Sequence, residues 1–313
     1  MSKTRYRVLA LILGVIFIVS GCSDKQTGNE FKPPVLVKDY LRLGKGDLGT
    51  DSILSPFVYG DKLYYSRGDF RHSYGELIEY DLVGKQHKTL FKSKYEMAAL
   101  QNIAANDRYI VFTDSRDTGA DMSEYYIDKK TGRCIRLNKT PVGILPTPLL
   151  YKHYAISFDR DSNGSTYLVL YDMENKGAKK RIHKFRTLYF YNFFYGVSTD
   201  GIIVWNDHEN SRGYIYYYDI ECKKLNKYKT IRKFPGYSQI AGGRIFSLSF
   251  NDNDWSNQII EVYDMQKQEL IEPAPIKMEG HINQLDALGD YVVLTDVYGN
   301  IHVYIANSGK KVK

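Results

Sequence analysis

Gly60-Asp61-Lys62-Leu63-Tyr64-Tyr65, followed by Leu77-Ile78-Glu79-Tyr80-Asp81-Leu82-Val83-Gly84-Lys85, reads as two β-rich runs, each bounded by turn residues. The same sentence is written again and again along the chain. A turn entering a β-rich run returns at Asp107-Arg108-Tyr109-Ile110-Val111-Phe112, Lys152-His153-Tyr154-Ala155-Ile156, Asp200-Gly201-Ile202-Ile203-Val204-Trp205, Gly242-Gly243-Arg244-Ile245-Phe246 and Gly289-Asp290-Tyr291-Val292-Val293-Leu294. In phase with it, the Tyr80-Asp81 step recurs at Ile127-Asp128, Tyr171-Asp172, Tyr218-Asp219, Tyr263-Asp264 and, degenerately, Ala306-Asn307, at spacings of 47, 44, 47, 45 and 43 residues. Two markers sharing this period match the length of a four-stranded β-propeller blade.

Within the first unit the pattern predicts an inner strand over Ile53–Tyr59, a second over Lys62–Ser66, a third over Glu76–Tyr80 and an outer one over Lys88–Lys92. The repeated Asp then ends each third strand, where its carboxylate can accept hydrogen bonds from the amides of the following turn. Only six residues follow Asn307, too few for a full outer strand, whereas Val35–Leu43 is strand-like and has no unit of its own. The expectation is an all-β, six-bladed β-propeller of four-stranded antiparallel blades over residues 35–313, closed by this N-terminal strand, which also shields an otherwise open edge.

Composition agrees. Of 313 residues, 28 are Tyr and 14 Phe against six Met, and planar side chains suit a pleated, half-buried surface. Hydrophobic residues at 43% and charged ones at 25% exclude wholesale disorder and a multi-span membrane protein. The first residues carry an address instead. Lys3, Arg5 and Arg7 precede the apolar run Val8–Val19, too short to cross a bilayer comfortably, and Ser20-Gly21 lead into Cys22. Residues 1–21 therefore read as a lipoprotein signal peptide, Cys22 as the lipidated N-terminus, and residues 22–34 as a polar tether ending in Pro33-Pro34. Loss of residues 1–21 removes three cations and no acid, lowering the net charge from +7 to +4, which argues against nucleic acid as a partner. The expected location is the extracytoplasmic side of the cell membrane. Cys134 and Cys222 fall in non-adjacent units and are expected to remain unpaired.

The repeats, and the Lys-Leu-Tyr-Tyr and Leu-Ile-Glu-Tyr-Asp-Leu-Val-Gly-Lys segments in particular, resemble the TolB-like six-bladed propellers, including the bacterial lipoprotein family likened to the low-density-lipoprotein-receptor propeller. The resemblance covers residues 35–313 and implies architecture, not an activity, because such propellers serve binding, scaffolding and catalysis alike. The Ser-Pro-Asp-Gly turn of TolB itself does not occur here.

Asp159, Asp161 and Asn163, with Gly164, match the opening of a calcium loop, but Tyr167 and Leu170 stand at its ninth and twelfth positions, so a hairpin turn is the better reading. Arg67-Gly68-Asp69 is likewise read as a turn. The seven histidines show no metal-ligand spacing, and no nucleophile elbow, Walker loop or dinucleotide fingerprint is present, so no cofactor is expected. Basic residues gather on outer-strand segments, at Lys85, Lys88, Lys92 and Lys94, at Lys176, Lys179, Lys180 and Arg181, and at Lys223, Lys224, Lys227 and Lys229, where edge protection alone would put them; the functional alternative is attraction to anionic lipid headgroups or wall polymers near the anchor.

The function expected is that of a monomeric, membrane-anchored binding or scaffold protein for an envelope protein or cell-wall polymer. The alternative is a propeller hydrolase or lyase acting on cell-wall or sugar-derived substrates, which requires acids and histidines from several units to converge. The second-to-third-strand hairpins are read as the longer, contact-bearing loops, with Phe70, Arg116, Arg160, His208 and Trp255 as contact candidates.

Overall fold

The computed structural model describes residues 48, 52–69, 73–116, 121–140, 147–186, 195–210, 212–251, 258–271 and 282–308. The expected closing strand, the signal segment, Cys22, Phe70 and Trp255 lie outside them.

Apart from a single helical residue, Leu48, every regular element among the described residues is a strand, and the strands follow one another as antiparallel meanders. The first comprises β1 (Ser52–Tyr59), β2 (Lys62–Asp69), β3 (Ser73–Asp81) and β4 (His87–Lys92). The second comprises β5 (Ala99–Ala105), β6 (Tyr109–Ser115), β7 (Ser123–Asp128) and β8 (Arg133–Arg136). The third comprises β9 (Leu149–Tyr151), β10 (Tyr154–Arg160), β11 (Thr166–Asp172) and β12 (Ala178–Lys184). The fourth has β13 (Gly196–Val197), β14 (Ile202–Glu209), β15 (Arg212–Asp219) and β16 (Lys224–Lys229). The fifth has β17 (Phe234–Ala241), β18 (Arg244–Phe250), β19 (Gln258–Asp264) and β20 (Glu269–Leu270). The last has three strands, β21 (Ile282–Leu288), β22 (Tyr291–Asp296) and β23 (Ile301–Ile305). One parallel pair, Tyr74 with Ala99, joins the first two meanders into a larger sheet.

Strand β6 shows how the meanders pack. All seven of its residues are buried, so neither face meets water. Its alternation sends Ile110 and Phe112 into a cluster with Tyr64, Leu77 and Leu100 on one side, while Tyr109 and Val111 join Tyr126, Ala155, Val169 and Tyr171 on the other. Comparable clusters join the third and fourth, fourth and fifth, and fifth and last meanders. The first strands also lie side by side in sequence, β1 by β5, β5 by β9, β9 by β13, β13 by β17 and β17 by β21. Four-stranded sheets packed face to face, with their first strands gathered together, form a β-propeller.

The repeated aspartates do what their spacing predicts. Asp81 Oδ1 accepts from the amides of Val83 (2.9 Å) and Gly84 (2.8 Å). Asp128 accepts from Lys130, Asp172 from Glu174 and Asn175, Asp219 from Cys222, and Asp264 from Gln266 and Lys267, all at 2.8 to 3.2 Å. Each side chain closes a third-to-outer turn that backbone bonds alone would leave short of acceptors. The turn entering β2 uses a left-handed residue at Gly60 (φ 59°). The equivalent turn into β10 puts Lys152 in that conformation (φ 50°), and its carbonyl accepts from the Asn106 side chain at 2.6 Å.

The strands run further than the sequence pattern indicated. β2 reaches Asp69 and β3 begins at Ser73, while β14 reaches Glu209 and β15 begins at Arg212. The expected long loop over Asn206–Arg212 is therefore a tight hairpin. That hairpin is short because the polar residues at the end of β14 are buried between sheets and keep the ladder going, whereas the links between meanders on the same face, such as residues 137–148 and 185–195, are longer than the turns of the opposite face. Cys134 and Cys222 are both free, on β8 and in the turn before β16.

Candidate functional site

An antiparallel meander puts its first-to-second and third-to-fourth turns at one end, and its central hairpin and its link to the next meander at the other. The two resulting faces are chemically different. On the turn face, side chains reach across to the neighbouring meander: Tyr59 donates to Asp107 (3.0 Å), Asn106 to the Lys152 carbonyl (2.6 Å), Lys152 to Glu221 and Arg244 to the Asn307 carbonyl (2.9 Å). Lys129 adds a cation–π contact over Tyr64, with 4.8 Å to the ring centroid. This face is fastened.

The hairpin face displays large apolar side chains instead. Tyr298 is 83% exposed and Val297 53% in the β22–β23 hairpin, Met97 is 59% exposed in the first inter-sheet link, and Ile231 is 53% exposed in the link before β17. On or beside the turn face the comparable residues are Val83 at 77%, Leu225 at 46% and Tyr59 at 36%, the last engaged with Asp107. Arg116 stands on the hairpin face, exposed, with its guanidinium over the Tyr95 ring at 5.8 Å. Of the other residues singled out from sequence, Arg160 ends β10 half-buried. His208 lies within β14 at 8% exposure, its ring 5.2 Å from that of Phe234, and burial lowers its pKa below the ordinary histidine value. It is a packed strand residue, not a displayed one. Asp159 lies inside β10, fully buried, while Asp161 accepts from the amides of Asn163 and Ser165 (both 3.0 Å) and from the Tyr167 hydroxyl. These are turn contacts, and among the described residues no group of three or more His, Cys, Asp or Glu side chains is arranged to hold a metal ion.

A second set of aspartates recurs in the strands, of which the sequence reading singled out Asp159 alone, and that as part of a calcium-loop match. Asp114, Asp159, Asp207 and Asp296 are each the sixth residue of their meander's second strand, and all are at most 8% exposed. Arg67 and Ser249 hold the same place in β2 and β18. Each finds a partner nearby. Asp114 accepts from Ser93 (2.9 Å), Asp159 pairs with Lys179, Asp207 with His183 Nε2 (2.6 Å), and Asp296 with Asn300 (2.8 Å) and His302 (3.3 Å). Arg67 pairs with Glu76 at 2.5 Å, and Ser249 donates to Glu261. Asp207 and Asp114 reach back to the preceding meander, so they fasten the clefts between sheets. The signal was in the sequence, as Val111-Phe112-Thr113-Asp114, Val204-Trp205-Asn206-Asp207 and Val293-Leu294-Thr295-Asp296.

Burial sets the charge state of several acids. It pushes Asp114 up to about 6 and Glu124 up to about 8, the latter also raised by Asp159 and lowered by the Ser157 hydroxyl that donates to it. Glu261, whose Oε1 accepts from the Ile231 amide at 2.9 Å, is raised by burial too. Glu124 and Asp159 share the cleft between the second and third sheets, where Ser157 and Lys179 are their respective partners, while Asp114, Asp207 and Glu261 are held by Ser93, by His183 and by Ser249 with the Ile231 amide.

Sequence comparison with known families and with curated proteins gives no match. Solved structures do match. The computationally designed Ika8 protein aligns over 84% of this chain and 74% of its own, with a TM-score of 0.55 and 14% identity. A prolyl endopeptidase aligns with a TM-score of 0.59 at 16% identity, over 84% of this chain, which spans only 42% of the endopeptidase's length. TolB from Acinetobacter baumannii aligns over 80% of this chain and 63% of its own at a TM-score of 0.46 and 14% identity. At these identities the likeness to the first two is one of fold, and it agrees with the propeller read from the strand pairing.

Proposed function

We propose that this chain is a lipid-anchored, extracytoplasmic binding or scaffold protein, a six-bladed propeller of the TolB-like kind that engages an envelope partner through its hairpin face. The observation that carries the reading is the contrast between the faces: turn-face side chains are engaged with neighbouring sheets, while Tyr298, Met97, Ile231 and Val297 are presented to solvent on the other. Large exposed apolar side chains on a rigid scaffold suit partner contact. Two features support closure of the ring by Val35–Leu43. Among the described residues the last meander has three strands where the others have four, which leaves one edge of β23 for another strand. Leu48 packs on the flank of the first meander formed by Leu63, Tyr65, Ile78 and Tyr80, and its carbonyl accepts from the Tyr65 hydroxyl at 2.8 Å, so the chain enters beside the sheet that closure would bring against the last one.

The face is tested by placing a photocrosslinking residue at Tyr298 or at Val83, two positions of similar exposure on opposite faces, in the full chain in its native membrane. A discrete adduct from position 298 and none from 83 is expected; the reverse pattern, or equal adducts, overturns the reading. The anchor has a separate test. Cys22→Ser is expected to lose the acyl mass and to leave the membrane fraction, and a variant that remains there with unchanged mass refutes lipidation.

A further inference from the structure

The positive charge of this protein is concentrated. Residues 176–186 and 223–233 hold twelve of the 43 Lys+Arg and none of the 36 Asp+Glu, so the rest of the chain is net acidic although the whole is +7. These two stretches contain β12 and β16, the outermost strands of the third and fourth sheets. The sheets are neighbours, since His183 on β12 meets Asp207 on β14 and Lys180 donates to the Tyr218 hydroxyl on β15 at 2.7 Å. The cations therefore occupy one sector of the rim.

Their settings differ from those of ordinary edge lysines. Of the seven cations on the two strands, Lys179 and Lys227 pair with carboxylates, Asp159 and Glu209. Others rest on neutral rings: Arg181 lies 4.0 Å from the Tyr167 centroid, Lys184 5.9 Å from the same ring, and Lys180 5.1 Å from that of Tyr218. A ring holds a cation in position without neutralising it. β12 is exposed from Ala178 to Arg181 and again at Lys184. Being outermost in their sheets, both strands also have one backbone edge with no further strand of the sheet against it.

We propose that the rim formed by β12 and β16 binds a linear phosphate polymer. Charge complementarity selects an anion, and two outer strands on adjacent sheets suit an extended chain that neutralises cations one after another. A membrane surface fits less well. On the closed-ring reading above, from which this one step follows, the third and fourth sheets lie across the ring from the first and last, where the tether enters, so the rim points away from the anchoring bilayer.

The test uses the full chain in detergent, with long-chain inorganic polyphosphate as the probe. The variant Lys180→Gln/Arg181→Gln/Lys184→Gln/Lys224→Gln/Lys229→Gln is expected to bind about 100-fold more weakly at about 50 mM salt, with a salt slope shallower by roughly three to four. The control Lys85→Gln/Lys88→Gln/Lys94→Gln/Lys130→Gln/Lys139→Gln removes the same charge from the first two meanders and is expected to stay within about threefold of the parent. Equal losses in the two variants would reduce the effect to diffuse charge and overturn the proposal, as would a parent chain that does not bind polyphosphate. Tighter binding of phosphatidylglycerol vesicles through the same five residues would replace the polymer by a membrane. That arm bears on the ring reading; the polyphosphate comparison does not depend on it.

Discussion

Truncating Trp205 to alanine is expected to destabilise the fold by about 3–5 kcal/mol, among the largest effects of any single change in the described core. Trp205 is fully buried on β14, stacked on Tyr216 with centroids 5.6 Å apart and an interplanar angle of 10°, and 5.5 Å from the His183 ring. It belongs to the cluster that joins Ile156, Phe158, Leu168 and Phe185 of the third meander to Ile203, Tyr216 and Tyr218 of the fourth. A cavity there cannot collapse readily, because both walls are sheets whose backbones are fixed by ladder hydrogen bonds. The indole Nε1 has no partner, so truncation breaks no hydrogen bond and the loss is one of packing. Trp205→Phe, which keeps a ring and removes an unpaired donor, is accordingly expected to lose less than half as much. Urea unfolding followed by far-UV circular dichroism reads both. A loss below about 1 kcal/mol for the alanine variant would mean that the contact between the third and fourth sheets does not hold the propeller together.

The parts of this architecture that were legible in the sequence are those written locally. The turn aspartates announce themselves because Tyr80-Asp81 and its copies require only the next few residues to work, and a turn followed by a β-rich run is visible locally, as at Asp107–Phe112. What escaped depends on a second sheet. Asp114, Asp207 and Asp296 each end an apolar run, and in a sequence a charged residue there reads as the start of a loop; only the neighbouring sheet turns the position into a buried cleft. His208 was read as displayed for the same reason, since its polar neighbours Asn206, Asp207 and Glu209 imitate a loop while the ladder pairs His208 with Gly213. Glu124 carried a usable signal. It shares strand parity with Tyr126, which faces the third meander, so alternation alone put its carboxyl on an inward face. The rim cations were equally visible as a run, but Tyr167 and Tyr218 could be seen to lie beneath them only once the sheets were paired.

Glu124 gives the second large effect, a loss of stability as pH rises from about 4.5 to about 8. Its side chain is fully buried between the second and third meanders, Oε1 accepting from Ser157 and Oε2 lacking a partner, while the neighbouring Asp159 has Oδ2 on Lys179 and Oδ1 likewise unpaired. Burial, with the charge of Asp159 added, pushes Glu124 up to about 8 from the ordinary 4.5. A raised carboxyl favours the protonated folded state. Its contribution is fully present below the unfolded pKa and is lost as pH rises through the folded one, so between about pH 4.5 and 8 stability falls by on the order of several kcal/mol. Asp114, pushed up to about 6 by burial, adds to the same slope over the lower part of that window. Asp81 and Asp296 act in the opposite sense. Hydrogen bonds from Lys62 and Asn300 respectively hold them down at about 2, so their contribution is present above the ordinary carboxyl range and disappears only toward pH 2. Thermal unfolding midpoints are therefore expected to peak in mildly acidic solution and to decline steadily toward pH 9. Glu124→Gln keeps a carbonyl for Ser157, supplies an N–H where the protonated acid supplied O–H, and cannot ionise. Its midpoint is expected to match the parent near pH 5 and to exceed it above pH 8, leaving only the shallower slope due to Asp114. A parent whose midpoint is flat from pH 5 to 9, or a Gln variant with the parent's full slope, would show that Glu124 does not carry a proton in the folded protein.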